Sequence, residues 1–359
     1  MAQIIIFIIL ALYMILLFLV GKNISKTTPS NPIKYQPKVA VVIAFRNEKE
    51  NINLLINSLL QQEYQNFNVF LVNDHSNDCF LDEIADLKDE RLHILNLPEG
   101  KNGKKSALEY GVNLSKSELL LFSDADCWMN KNWISSMVTS LESSGADWQA
   151  GAIKVVSSST WIESFQELES AYLVAMSALG ITKKLPTSCN GANIILKREA
   201  FCAVNGFEGI EQTPSGDDEL LMQKLFKKGF VLNFCKNRES FVYTKALATG
   251  NQMLNQRIRW ASKLKYNLLK NNLVLSGMVF SVHFSSILIF FLDFKLGFLF
   301  LFCRFVAEYL LARIVSKWLV FRQKNIHFIF SFFAYPLYVM FMCFASQFKA
   351  FDWKERKYN

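Results

Sequence analysis

Histidine is scarce in this chain. There are four in 359 residues, none at a metal-ligand spacing, which argues against zinc chemistry. Cysteine is also sparse: seven residues, at 79, 127, 189, 202, 235, 303 and 343, with no C-x-x-C and no disulfide-like spacing. Five of them fall in the polar middle of the chain, which points to a reducing compartment. The first apolar run has no basic residue ahead of it and no small-residue cleavage pattern, so it does not read as a secretory signal peptide. The net charge of +8 does not by itself argue for nucleic acid. Much of the excess lies beside apolar segments, where retention of Lys and Arg on the cytoplasmic side and attraction to anionic lipid account for it.

What the chain has in quantity is apolar surface, and it is unevenly placed. Half the residues are hydrophobic and 32 are Phe. They concentrate in the first 20 residues and after about Leu273. Roughly 17–25 such residues cross a bilayer. The reading is therefore an integral membrane protein with a polar middle: a transmembrane helix over 1–21 with its amino end outside, and a linker over 22–37 marked by Pro29, Pro32 and Pro37. An α/β domain follows over 38–250. Residues 251–272 read as a basic amphipathic helix, with Leu254, Ile258, Ala261, Leu264 and Leu268 on one side and Arg257, Arg259, Lys263 and Lys265 on the others. Three apolar blocks occupy 273–348, at about Leu273–Leu292, Leu296–Leu311 and Ile326–Phe348, and a basic tail occupies 349–359. Counting crossings puts that tail outside, against the positive-inside rule, so either one block is re-entrant or the rule is broken.

In the middle, short apolar runs alternate with helical stripes. Strands are expected at Val39–Ile43, Val69–Val72, Leu92–Leu97, Leu119–Phe122 and Ile194–Leu196. Helices are expected at Asn51–Gln62, Phe80–Leu87, from Ser106, and over Leu220–Lys228. Alternation of this kind predicts a mostly parallel sheet with right-handed crossovers. Three of the strands end in polar clusters: Arg46-Asn47-Glu48, Asn73-Asp74, and Asp124 with Asp126. In a parallel sheet these ends share one edge, where ligands bind. Two hard carboxylates there suit Mg²⁺ or Mn²⁺, with the remaining ligands supplied by a diphosphate. Taken singly, Asp124-Ala125-Asp126 is an ordinary strand-end turn and Asp217-Asp218 an ordinary acidic helix start.

The ordered set Asp74, Asp124-Ala125-Asp126, Asp218 and Gln256-Arg257-Ile258-Arg259-Trp260 resembles the membrane-bound family 2 glycosyltransferases. That group includes cellulose and hyaluronan synthases and ceramide glucosyltransferase, and its fold is GT-A: a Rossmann-like, mostly parallel α/β domain, here with transmembrane α-helices. The resemblance implies that Ala44, Phe45, Asn47, Glu48 and Asp74 hold the nucleoside, and that Lys104 lies near the nucleotide-sugar. It implies that Asp124 and Asp126 bind the divalent metal with the diphosphate, and that Asp218 is the general base. It places Asn190, Gly191, Asp217, Gln256, Arg259 and Trp260 about the acceptor and diphosphate. The sequence departs from the family at Phe45 or its neighbour, commonly Pro, at Glu109, commonly Asn, and at Asp217, commonly Glu.

The implied activity is inverting, metal-dependent transfer from a nucleotide-diphosphate sugar, expected to be a UDP-sugar. The implied acceptor is lipid-linked or a glycan, at the cytoplasmic face of a bacterial inner membrane. A processive polysaccharide synthase and a membrane-bound nucleotidyltransferase are the alternatives. A nucleotidyltransferase would need neither the Asp218 base nor the Q-x-x-R-W segment. A non-enzymatic membrane scaffold is disfavoured by the intact acids.

Overall fold

The computed structural model describes residues 1–26, 35–85, 87–158, 160–211, 213, 216–262, 266, 268–348, 351–353 and 356–358. Pro29, Pro32 and Lys34 of the expected linker therefore lie outside the described residues, as do Lys263, Leu264 and Lys265 of the amphipathic helix and Lys354 and Glu355 of the tail.

In chain order the elements are α1 (Ala2–Ile24), β1 (Val39–Phe45), α2 (Lys49–Leu60), β2 (Phe67–Asn73), β3 (Leu92–Asn96), α3 (Lys104–Leu114), β4 (Leu119–Phe122) and β5 (Cys127–Met129). Next come α4 (Trp133–Ser144), β6 (Trp148–Gly151), β7 (Ile153–Val156), α5 (Trp161–Thr182), β8 (Ile194–Lys197), α6 (Arg198–Ala203), α7 (Asp217–Lys227), β9 (Leu232–Cys235) and β10 (Val242–Lys245). The helices α8 (Gly250–Ser262), α9 (Asn271–Leu292), α10 (Phe294–Leu319) and α11 (Asn325–Phe348) follow, and then a short antiparallel pair, β11 (Phe351–Trp353) with β12 (Arg356–Tyr358).

The chain divides into two compact units. One takes Thr27–Lys154 and Ile181–Lys245; the other takes Met1–Lys26, Val155–Gly180 and Ala246–Asn359. Residues 155–180, inside the span read from sequence as α/β, thus group with the helices.

The α/β unit is built on a seven-stranded sheet in the order β3-β2-β1-β4-β8-β6-β9. The β1 strand is parallel to β2 and to β4, and β2 is parallel to β3. The antiparallel strand β8 lies between β4 and β6, and β6 is parallel to β9. These central strands read as unbroken apolar runs because they are covered on both faces. Val39, Val41, Ile43, Val69, Leu71, Leu119 and Leu121 all enter the main core, beneath the Ile52, Leu55, Ile56 and Leu59 stripe of α2. Pairing of Phe45 with Asn73 and of Val42 with Phe122 brings the carboxyl ends of β1, β2 and β4 to one edge.

On the other face α3 approaches β1 and β2 at Gly111, where a Cβ would meet Val42 Cγ1 at 2.6 Å and Val72 Cγ2 at 3.1 Å. The helix expected at Phe80–Leu87 is instead one 3₁₀ turn, Phe80–Glu83, entered through Cys79 at φ 53°. Among the described residues there Phe80 and Ile84 alone are buried, too little apolar surface to carry a full helix.

In the helical unit, three helices among the described residues are long and apolar enough to cross a membrane: Ala2–Ile24, Asn271–Leu292 and Asn325–Ala345. Large side chains such as Ile4, Phe18, Val274, Phe291 and Phe333 stand more than half exposed on them, as on helices solvated by lipid. The block expected at Leu296–Leu311 is the longer α10, which buries Arg304 and Glu308 as an i,i+4 ion pair at 3.3 Å. Tyr13 of α1 donates to Glu308 Oε1, Tyr172 of α5 donates to the Glu308 carbonyl, and Arg304 Nη2 donates to the carbonyl of Phe332. Charged groups at such depth need partners, and α10 finds them on three other helices.

The tight approach at Gly111 gives a test of the α3–sheet packing. Gly111→Ala gains helix propensity yet drives a methyl into Val42, so the variant is expected to lose about 1–3 kcal/mol of unfolding free energy. Denaturant unfolding of wild type and variant measures this, and a neutral or stabilised variant would show that α3 is not seated there.

Candidate active site

The carboxyl edge of β1, β2 and β4 carries the residues singled out by spacing. Several sit in backbone conformations that side chains seldom adopt: Asn47 at φ 53° and His75 at φ 56°, with Cys79 at φ 53° close by. Such positions persist only where surrounding bonds over-determine them. Here Arg46 Nη1 donates to the carbonyls of Asp74 and His75 at 2.9 and 2.8 Å, the Asn47 amide donates to Ser76 Oγ, and Asn47 Oδ1 accepts from the Asn77 amide. The β1 and β2 turns are thereby tied into one ledge.

Asp74 is buried at the base of this ledge. Its Oδ2 accepts from the Gly103 amide at 3.0 Å, directly ahead of α3. Phe45, expected to border the donor, instead turns its ring into the core against Phe80, with centroids 4.7 Å apart, and contributes its carbonyl to the Asp74 amide. An aromatic at this place is worth more buried than wet. Ala44 is half-buried beside Val72 and Ala107, and Glu48 supplies the carbonyl that opens α2 while its carboxylate accepts from Asn51 Nδ2.

The first turn of α3 carries two adjacent lysines, of which the resemblance singled out Lys104. Lys105 is buried and donates to the carbonyls of Ile210 and Thr213, anchoring the segment that leads to α7. Lys104 points the other way. Its Nζ lies 2.7 Å from Asp124 Oδ1 and 2.9 Å from Asp217 Oδ2. Burial alone would depress the Lys104 pKa, but the two carboxylates outweigh it and hold the ammonium above its ordinary range. Lys104 therefore joins the end of β4 to the start of α7.

Gly191 packs against this junction. A Cβ there would fall 3.2 Å from Asp217 Oδ2, 3.3 Å from Asp218 Cβ and 3.3 Å from Lys104 Nζ. The Gly191 amide donates to Asp218 Oδ2 at 2.8 Å, and Asp218 Oδ1 accepts from the Glu219 amide at 2.7 Å. Asp218 is thus more than a helix cap: it also fixes the loop at Asn190-Gly191. Asn190 Oδ1 accepts from the Ala192 amide and shapes that turn. In this unit the structure brings together Lys104, Asp124, Gly191, Asp217 and Asp218.

Two supports had little signal in the sequence. Ser123 Oγ donates to the Ala192 carbonyl at 2.9 Å, pinning the Gly191 loop to the end of β4. Asn193, wholly buried, accepts from Trp133 Nε1 and donates to the carbonyls of Ala152 and Ser240. Both are small polar residues in turns, where their types are common for other reasons.

Asp126 is exposed at the same strand end, and its Oδ1 accepts weakly from the Cys127 thiol at 3.6 Å. Burial, then the charges of Asp126 and Asp124, push the Cys127 thiol pKa up, so it stays protonated. Among the described residues no three His, Cys, Asp or Glu form a metal cage. The chain offers two carboxylates at this strand end, Asp124 and Asp126, so a divalent ion here would need its remaining ligands from phosphate oxygens and water, as Mg²⁺ and Mn²⁺ accept. The ammonium of Lys104 between Asp124 and Asp217 shows that carboxylates here converge on a cation.

A cavity of about 280 Å³ flanks the same loop, lined by Gly100, Lys101, Asn102, Ser106, Glu109, Tyr110 and Asn113. Its lining includes Glu109 but none of Asp74, Asp124, Asp126, Asp217 and Asp218.

The Q-x-x-R-W residues belong to the helical unit, on α8. Gln256, Arg259 and Trp260 are half-buried. Arg257, read from sequence as part of a basic outer face, is instead buried against Glu169 of α5, at 2.7 Å. Ile258 and Leu254, on the apolar side read from sequence as facing a membrane surface, pack with Met342 and Ala345 of α11.

Comparison with known proteins adds three findings. Residues 40–202 match the model for "Glycosyl transferase family 2". Over 112 residues the chain is 29% identical to the glycosyltransferase GlyG of Streptococcus pneumoniae, covering 30% of this chain and 36% of that one. Over 123 residues it is 29% identical to the glycosyltransferase AglE of Haloferax volcanii, covering 33% and 40%. The chain thus spans about two-fifths or less of the length of these relatives. The fold as a whole is similar to a mannosyltransferase, PcManGT, of Pyrobaculum calidifontis, solved with GDP-Man and Mn²⁺. The TM-score is 0.60, with 16% identity and coverage of 97% of this chain and 99% of the other.

The crowding at Gly191 is testable. Gly191→Ala is expected to displace Lys104 or Asp217 and to cost about 1–3 kcal/mol, read as a lower thermal midpoint. A variant as stable as wild type would mean that the Lys104–Asp217 contact is not made.

Proposed function

We propose, from the premise that this chain carries a family 2 glycosyltransferase domain on a GT-A fold, that it transfers a sugar from a nucleotide-diphosphate sugar to a lipid-linked acceptor with inversion. The observation that carries the proposal is the meeting of Lys104, Asp124, Asp217 and Asp218 at the carboxyl edge of a parallel sheet. The GDP-Man and Mn²⁺ bound to the mannosyltransferase of similar fold support a nucleotide-sugar and a divalent ion here. The base of the donor, expected to be uracil, is open to test.

In this reading Asp124 and Asp126 would hold Mg²⁺ or Mn²⁺, which supplies charge stabilisation to the diphosphate leaving group. The chain's own groups do the rest. The ledge of Asn47, Glu48 and Asp74 borders the nucleoside. Lys104 is a compact ammonium on a flexible stem, able to turn from Asp124 and Asp217 toward diphosphate oxygens. Both Asp218 oxygens already accept one backbone N–H, and a carboxylate keeps further lone pairs for an acceptor hydroxyl. The two bonds hold the carboxylate in one orientation, as a general base requires. Removing the hydroxyl proton from the face opposite the leaving group gives a single displacement. Gln256, Arg259 and Trp260 are assigned to the acceptor and diphosphate, where the Arg fork suits phosphate oxygens. The three helices of membrane-crossing length support an integral membrane location; the lipid-linked acceptor and an active site on the cytoplasmic face of a bacterial inner membrane are part of the proposal.

The test uses detergent-solubilised full chain, radiolabelled UDP- and GDP-sugars, and vesicles of total bacterial lipid extract. Label should enter the lipid fraction, stop with EDTA and return with Mn²⁺. Asp218→Asn should lower turnover about 10²–10⁴-fold while nucleotide binding persists. Release of sugar 1-phosphate instead of nucleoside diphosphate would identify a nucleotidyltransferase. Wild-type turnover in Asp218→Asn would remove Asp218 as the base.

A further inference from the structure

The second residue of Gln256-Arg257-Ile258-Arg259-Trp260 has no assigned role, yet it is a buried charge with several bonded partners. Arg257 is 5% exposed, and its Nε and Nη2 both donate to Glu169 Oε2, at 2.9 and 2.7 Å. The other Glu169 oxygen accepts from Tyr338 of α11 at 2.9 Å. Glu169, Arg257 and Tyr338 therefore tie α5, α8 and α11 at one point. The remaining faces of the guanidinium are turned on the motif itself. Its Nη1 donates to Gln256 Oε1, and its plane lies over the Trp260 ring, 4.4 Å from the centroid. One side chain thus holds both flanking residues of the motif, by a hydrogen bond on one side and a cation–π contact on the other.

We propose that Arg257, fixed by Glu169 and Tyr338, is the positioning residue that sets Gln256 and Trp260 for acceptor recognition. This rests on the assignment of Gln256, Arg259 and Trp260 to the acceptor. The physical reason for arginine is its shape. A planar fork donates twice to one carboxylate, reaches Gln256 with the third nitrogen and still stacks on an indole; a lysine ammonium keeps the charge and does none of these together. A buried pair broken by neutralising one partner is strongly destabilising, so Arg257→Met risks unfolding the helical unit. The informative variants are the conservative Arg257→Lys, and Tyr338→Phe, which removes only the hydroxyl on Glu169.

The experiment measures sugar transfer into vesicles of total bacterial lipid extract as a function of extract concentration. In parallel it measures binding of UDP and GDP with Mn²⁺ by calorimetry, and thermal midpoints in the same detergent. Arg257→Lys is expected to raise the half-saturating extract concentration by about tenfold or more, with nucleotide affinity within about twofold of wild type. Tyr338→Phe should move the same parameter in the same direction by less. A lower thermal midpoint with unchanged half-saturation would reduce Arg257 to a packing role and overturn the proposal, as would an equal loss of nucleotide binding. Gln256→Ala and Trp260→Phe separate the two levels. If neither changes half-saturation, the acceptor assignment itself fails; if both do and Arg257→Lys does not, only the positioning role fails.

Discussion

The α/β unit depends on a lysine between two acids. Lys104 stands at the start of α3, Asp124 at the end of β4 and Asp217 at the start of α7; the 2.7 Å contact joins α3 to β4, and the 2.9 Å contact joins segments more than a hundred residues apart. Without a counter-ion the two carboxylates, with Asp218 beside them, would repel across a partly buried gap. With it, the elements that present the acids are held in register. Lys105, one residue on, anchors the approach to α7 through two carbonyls, so one helix start organises the whole acidic cluster. In the proposed reaction the same place would take a cation bound together with a diphosphate. The chain already provides the negative field and fills it with its own ammonium.

The parallel half of the sheet was plain in the sequence because burial on both faces leaves unbroken apolar runs. Leu119–Phe122 is the expected strand residue for residue, and α2 shows its stripe. The shared edge of β1, β2 and β4 followed from the alternation of strands and helices. What could not be read is the mixed half. The antiparallel insertion of β8 between β4 and β6 is a matter of long-range pairing, which local periodicity does not encode. The long α5 spreads its apolar positions around the helix and gives no clear stripe; it groups with the membrane-length helices, not with the sheet.

The candidate site shows the same division. Residue types and order marked the acids. Geometry added that Lys105 is engaged elsewhere, that Phe45 belongs to the core, and that Asp218 clasps the Gly191 loop. In the helical unit the charges misled most. Arg257 counted as one more basic residue on an amphipathic helix, and Arg304 and Glu308 were lost inside an apolar block. Both pairs are buried and bonded. Hydropathy averages hide such groups because one ion pair changes a window's mean very little, although each needs specific partners to be tolerated.

The most direct measurement is an experimental structure of the full chain with Mn²⁺ and a nucleoside diphosphate, UDP and GDP tried in parallel. The account predicts the ion on Asp124 and Asp126 with its remaining ligands from the diphosphate, Lys104 turned from Asp124 toward phosphate oxygens, and Asp218 facing the vacated sugar position. An ion held elsewhere, or a diphosphate bound away from the β4 edge with Lys104 still between Asp124 and Asp217, would contradict it.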